Sequence, residues 1–229
     1  MFVVKIGGSI LYKDKSKLNT KLISEYVKTL RSIFTKNQRR FVIVIGGGNL
    51  AREVIATARK IDASEANCDL LGIEAAKLHA RIFISGLGEL AYPHPPESLQ
   101  DFMKAYTSCS KIIVCGGFQP GQSTNAVASV IAETINARQI YNLTDVDGVY
   151  SADPDKEPDA TLLSEITIDK FRDILLSYET KAGDYPLFDF TAYQIIKRSK
   201  IPIQFLNGLS VTNLQQAIAG KSLGTKVTH

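Results

Sequence analysis

The sequence predicts an α/β protein, a three-layer αβα sandwich whose central sheet is mainly parallel. Short apolar runs without polar alternation, such as Phe41-Val42-Ile43-Val44-Ile45, suit strands covered on both faces. Segments with apolar residues at helical spacing alternate with those runs along the chain, which argues one doubly wound sheet with helices on both faces. Three runs end in glycines, at Gly7-Gly8, Gly46-Gly47-Gly48 and Gly116-Gly117, so the turns they open should gather at one edge of the sheet. The 229 residues, 45% of them hydrophobic, can bury a sizeable core, and no linker, low-complexity tract or internal repeat divides them. A single domain over residues 1–229 is expected.

Phe2 to Ile6 is the first strand, ending at Gly7-Gly8-Ser9. Lys5 within it is costly unless its head reaches a partner at the strand's end, where the glycines leave room for an anion. A lysine snorkelling from an edge strand is the bland alternative. Leu18 to Phe34 is an amphipathic helix, with Leu22, Ile23, Tyr26, Val27, Leu30 and Ile33 on one stripe. The strand Phe41 to Ile45 follows, then three glycines and a helix from about Leu50 to Lys60. Glycines remove every Cβ, so a ligand can lie against the backbone while the helix dipole and Arg52 offer positive charge. Taken alone, such a motif equally describes a tight βα turn.

Asp62 or Ser64 caps a long helix running to about Ile84. Its apolar residues, among them Leu70, Leu71, Ile73 and Leu78, lie on more than one face, which calls for cover by the sheet and by something else, such as a second subunit. Asp69 sits within that apolar run, where a buried carboxylate needs a protein partner or a ligand hydroxyl. Tyr92-Pro93-His94-Pro95-Pro96 is a stiff connection, and Pro96-Glu97 opens a short helix to about Tyr106. His94 has no neighbouring carboxylate or nucleophile and reads as a loop histidine. Lys111 to Cys115 is the third glycine-ended strand, leading through Phe118-Gln119-Pro120-Gly121-Gln122-Ser123-Thr124 to a helix over about Asn125 to Asn136. That loop binds and orients better than it attacks, and Ser123 lacks the G-x-S-x-G elbow of a hydrolase nucleophile.

Gln139 to Leu143 is a fourth strand, delivering Thr144-Asp145-Val146-Asp147-Gly148-Val149-Tyr150. An acid pair there sits at the catalytic edge of an open sheet, although Asp147-Gly148 is also a turn signal. The alternating acids of residues 153–159 mimic a calcium loop, but Pro158 and Ser164 occupy the positions of the obligatory glycine and the closing glutamate, which excludes it. Helices follow over Ile168 to Leu176 and Asp189 to Ser199, then a strand over Ile201 to Leu206, a helix over Val211 to Ala219 and an edge strand near Gly224 to Val227.

A net charge of +4, spread along the chain, does not argue for nucleic acid. Cys68, Cys109 and Cys115 lack CxxC spacing, so neither zinc nor a disulfide framework is implied, and a reducing cytoplasm fits. Neither a signal peptide nor a bilayer-spanning run is read. The glycine edge, with Lys5, Arg52 and helix N-termini, is built for several phosphates, yet the P-loop, the protein-kinase signatures and G-x-G-x-x-G are all missing. What remains is a polyphosphate site made by other means, where catalysis is alignment and charge neutralisation.

"KIGGSIL", "GGGNLAR", "GGFQPGQST" and "TDVDGVYSADP", in this order and spacing, resemble the amino acid kinase superfamily across essentially the whole chain. With "DLLGI" around Asp69, the combination is similar to uridylate kinases of the archaeal type. The resemblance implies ATP and UMP as substrates, Mg2+ as the ion escorting ATP, and a homohexamer built as a trimer of dimers. It implies that Lys5 stabilises the transferred phosphoryl group, that Asp147 supports the lysine or the metal, and that Gly8, Ser9, Gly48 and Arg52 serve ATP. Thr144, Tyr150 and Asp153 would hold the ATP nucleoside. Gly47, Asp69 and the segment Phe118, Gln119, Pro120, Gly121, Gln122, Ser123 and Thr124 would hold UMP, Asp69 at the ribose hydroxyls. The chain departs from the family pattern in three places: Asn125 replaces an Asp, Asp145 replaces an Asn or Lys, and Asp189-Phe190-Thr191-Ala192 stands for "DPLA", leaving the metal ligands unassigned. Rival readings are a relative acting on a carboxylate or an isoprenoid phosphate, and a nucleotide-binding storage or sensor protein on the same fold.

Overall fold

A computed structural model describes residues 1–14, 16–37, 40–152, 157, 159–178 and 188–229. Asp153 lies outside the described residues. The central sheet has seven strands, in order along the chain β1 (Phe2–Ile6), β4 (Phe41–Ile45), β5 (Ile113–Cys115), β6 (Ile140–Thr144), β7 (Glu165–Thr167), β8 (Ile203–Asn207) and β9 (Thr225–Thr228). Their spatial order is β5-β4-β1-β6-β8-β9-β7, with a separate hairpin of β2 (Tyr12–Lys13) and β3 (Lys17–Leu18). Every pairing in the large sheet is parallel except that of β8 with β9.

Helices α1 (Thr20–Asn37), α2 (Gly48–Lys60), α3 (Glu65–Leu87), α4 (Leu99–Ser108), α5 (Thr124–Thr134), α6 (Ile168–Tyr178), α7 (Phe190–Ser199) and α8 (Val211–Ile218) complete the described elements. The alternation of side chains along each strand sorts them into two layers. Val3, Val42, Val44, Ile203 and Phe205 share one core with α4, α5, α6 and α7 through residues such as Phe102, Ile131, Phe171 and Ile196. Phe2, Val4, Ile6, Ile43 and Ile45 share the other with α1, α3 and α8 through Tyr26, Leu30, Phe83 and Leu214. A three-layer αβα sandwich with a mainly parallel sheet results. Strands β1 and β4 are buried along their full lengths, which explains their lack of polar alternation.

Several boundaries differ from the expectations. The strand near Gly224 to Val227 is internal, because β7, a three-residue strand that the sequence reading passed over, pairs outside it. Helix α4 starts two residues beyond Pro96-Glu97, where Ser98 takes the Asp101 amide at 3.1 Å as its N-cap. Ser64 rather than Asp62 caps α3, and α2 begins inside the glycine run. Among the described residues no helix is long and apolar enough to cross a membrane.

Candidate active site

The C-terminal ends of β1, β4 and β6 open onto a cleft of about 680 Å³. Backbone bonding continues past the strands, from Gly7 N to Leu143 O at 2.8 Å and from Gly46 N to Ile6 O at 3.0 Å, which holds the first two glycine turns side by side. They touch through bare backbone. A Cβ on Gly8 would lie 2.1 Å from Gly48 N, and one on Gly48 would lie 2.3 Å from Gly8 O. Gly48 also has a φ of +56°, so this junction requires glycine twice over. Helix α2 has Gly47 as N-cap, a residue with no side chain to take the first amides, and its start presents the positive end of the helix dipole to the cleft.

The third glycine pair serves another purpose. A Cβ on Gly116 would lie 2.7 Å from Lys77 N, and one on Gly117 would lie 2.8 Å from the Ile73 side chain. These glycines let α3 press onto the end of β5, and only Gly117 of the two lines the cleft.

Lys5 enters from β1, on the strand face that carries Val3, with 8% of its surface exposed. No carboxylate among the described residues lies within ion-pair distance of it. Burial pushes its ammonium down to about 8, while the charges of Asp145 and then Asp189 pull the other way. Its neighbour across the sheet is Asn142, which is fully buried and donates to Asn125 Oδ1 at 3.2 Å.

Of the residues singled out from the sequence, Lys5, Gly8, Ser9, Gly47, Gly48, Arg52, Asp69, Gln119, Gly121, Gln122, Ser123, Thr124 and Thr144 line the cleft. Arg52 is exposed and donates to Asn49 Oδ1 at 2.6 Å. Asp69 is half-buried rather than buried, and accepts from Gly121 N at 2.7 Å, so it shapes the loop as well as facing the cleft. Ser123 caps α5, accepting from the amides of Asn125 and Ala126 at 3.1 and 3.0 Å, and donates to Asp189. Asp189 in turn caps α7 through Ala192 N at 2.9 Å, so one carboxylate ties two helix starts together.

Phe118, Pro120, Asp147 and Tyr150 stand outside the cleft lining. Phe118 packs against the core. Asp147 is exposed, accepts from Asn207 at 2.8 Å, and has Tyr150 at 3.5 Å. The acids whose charge reaches Lys5 are Asp145 and Asp189. The sequence places Asp145 in the acid pair at the sheet's catalytic edge and Asp189 at a helix start, but it does not tie either to Lys5, and nothing in it marks Arg59, Gly72 and Ile73 as lining residues.

The sequence model of the Amino acid kinase family matches residues 1–207. The chain belongs to the amino acid kinase family. Within that family it is 43% identical over 225 residues to the uridylate kinase of Methanobrevibacter smithii, covering 98% of this chain and 97% of the relative. It is 39% identical to the uridylate kinase of Methanothermobacter thermautotrophicus over the same shares. The crystal structure of uridylate kinase from Archaeoglobus fulgidus superposes with a TM-score of 0.84 at 34% identity, covering 99% of both chains.

Proposed function

We propose that the chain transfers the γ-phosphoryl group of Mg-ATP to UMP, giving ADP and UDP, as one kinase domain acting in the cytoplasm on the route to the pyrimidine triphosphates. The observation that supports this best is Lys5, a buried ammonium without an ion-pair partner among the described residues, set beside a glycine junction no side chain can enter. It stands in a chain similar over nearly its whole length to uridylate kinases.

In this reading Lys5 and the amides of the glycine turns stabilise charge on the phosphoryl group in flight, a task that asks for preorganised donors and little covalent work. Gly8, Ser9, Gly48 and Arg52 serve the ATP phosphates, while Thr144, Tyr150 and Asp153 serve its nucleoside. Gly47, Asp69 and the segment 118–124 serve UMP, mainly through backbone amides and the residues facing the cleft. Asp145 and Asp189 take the place proposed for Asp147 in holding Lys5 charged. Mg2+ keeps waters and binds through one or two carboxylates and the substrate's phosphates, and Asp145, exposed in the cleft, is an acid suited to it. When bound, the ion offsets phosphate charge. A homohexamer built as a trimer of dimers belongs to the same proposal.

The test is ADP release with Mg-ATP against UMP, CMP, dUMP, AMP, aspartate, glutamate and isopentenyl phosphate. Strong turnover with UMP is expected, and turnover only on a non-nucleotide would overturn the reading. Lys5→Ala should keep UMP binding and lower turnover by about three orders of magnitude or more; wild-type-like turnover would remove Lys5 from the mechanism.

A further inference from the structure

His79 lies on α3 beneath the glycine turn, only 1% exposed, and plays no part in the scheme above. Its Nδ1 is 2.9 Å from the Gly46 carbonyl oxygen and its Nε2 is 2.9 Å from the Tyr12 hydroxyl. A carbonyl oxygen only accepts, so the nitrogen facing it must carry a proton. Burial holds the ring's pKa below its usual value, which keeps it neutral. Nε2 must then present a lone pair, and Tyr12 is there to donate to it, the two rings meeting edge-on with centroids 5.6 Å apart.

We propose that His79 is a positioning residue for phosphoryl transfer: its Nδ1–H fixes the Gly46–Gly47 peptide, and Tyr12 steadies the ring by donating to the lone pair this leaves on Nε2. A trans peptide points its C=O and N–H in opposite directions, so anchoring the Gly46 oxygen on the ring directs the Gly47 N–H away from it. Both glycines line the cleft, and no acceptor among the described residues takes the Gly47 amide hydrogen. The same carbonyl lies where a Cβ on Gly8 would meet it at 2.6 Å, so the anchor also sets the seam between the two turns. A reversed peptide would aim a carbonyl lone pair at a phosphate. This inference rests on the proposed phosphate role of the turn.

Imidazole nitrogen NMR of the wild-type protein at neutral pH should show His79 protonated on Nδ1 alone. Protonation on Nε2 instead, or on both nitrogens, would overturn the inference. In kinetics, His79→Leu removes both bonds and should lower kcat by about 30- to 100-fold with KM for each substrate held within about 3-fold. His79→Asn keeps a donor at the δ position and should return kcat to within about 3-fold of wild type. Unchanged kcat in His79→Leu, or equal losses in both variants, would overturn the assignment. Should His79→Leu fail to fold, Tyr12→Phe carries the test: it leaves α3 untouched, takes away the donor that holds the ring at Nε2, and should lower kcat by about 3- to 10-fold. A Tyr12→Phe enzyme with wild-type kcat would overturn the inference. If the wild-type protein releases no ADP with UMP, the proposed reaction fails separately, and the tautomer is still read from the spectrum.

Discussion

A lysine on an interior strand sets the energetics of the site. The folded chain binds the Lys5 proton less tightly than the unfolded one, with the pKa falling from 10.5 to about 8. The resulting penalty is whole below about pH 8, shrinks between 8 and 10.5, and vanishes above, so this group makes the fold more stable as pH rises through that window. The shift corresponds to something on the order of 3 kcal/mol at neutral pH. Lys5→Met should therefore raise the midpoint of denaturant unfolding, by the equivalent of about 1–3 kcal/mol, while removing activity. A destabilised Lys5→Met protein would mean that the ammonium is well accommodated without ligand. The catalytic charge runs the opposite way with pH. In the free enzyme Lys5 loses its proton above about 8, so kcat/KM should fall on the alkaline side of that value just where Lys5 ceases to weigh on the fold.

At the scale of elements, three glycine-ended strands look alike in sequence and do two different things. Gly8 and Gly48 meet backbone to backbone at the cleft, whereas Gly116 admits a helix. Gly116→Ala should thus cost stability, about 1–3 kcal/mol by urea unfolding, because the nearest atoms are α3 backbone and cannot swing aside. Gly8→Ala also meets backbone and should cost stability as well, but it should in addition remove turnover in the molecules that fold, since the methyl group would part the two turns that form the site, whereas folded Gly116→Ala should keep it. The converse pattern would reverse the two assignments. Periodicity made the buried strands and amphipathic helices legible, since both signals come from which faces meet the core. It left β7 unseen because Glu165-Ile166-Thr167 is too short to show a period, and it placed α4 early because proline sets the backbone angle but Ser98 supplies the cap. Lys5, Arg52 and the cleft-facing loop were legible because charge or glycine among apolar neighbours needs a reason. His79 was not, since a histidine in a helix reveals neither its burial nor the carbonyl it faces.

For the whole molecule, the unresolved surface is that of α3. Leu70, Leu71 and Leu78 are 49%, 40% and 51% exposed, although the same helix buries Ala80, Phe83 and Leu87 against the sheet. Leu71 and Leu78 are one heptad apart, so they stand on one stripe about 10 Å long, the arrangement that suits a second helix laid alongside. The helix that carries this stripe also carries Asp69 and His79, and Gly72 on it lines the cleft. An assembly built on that stripe would brace the wall of the site from behind. In the proposed hexamer, Leu71→Glu with Leu78→Glu places like charges opposite one another and should convert the protein to smaller species by light scattering. The smaller species should remain folded by circular dichroism and should lose ATP turnover in proportion to dissociation as concentration falls. If the double variant keeps the wild-type mass, the contact lies elsewhere. If the wild-type protein is itself monomeric at micromolar concentration, no partner copy covers α3, and the cleft wall is complete within one chain.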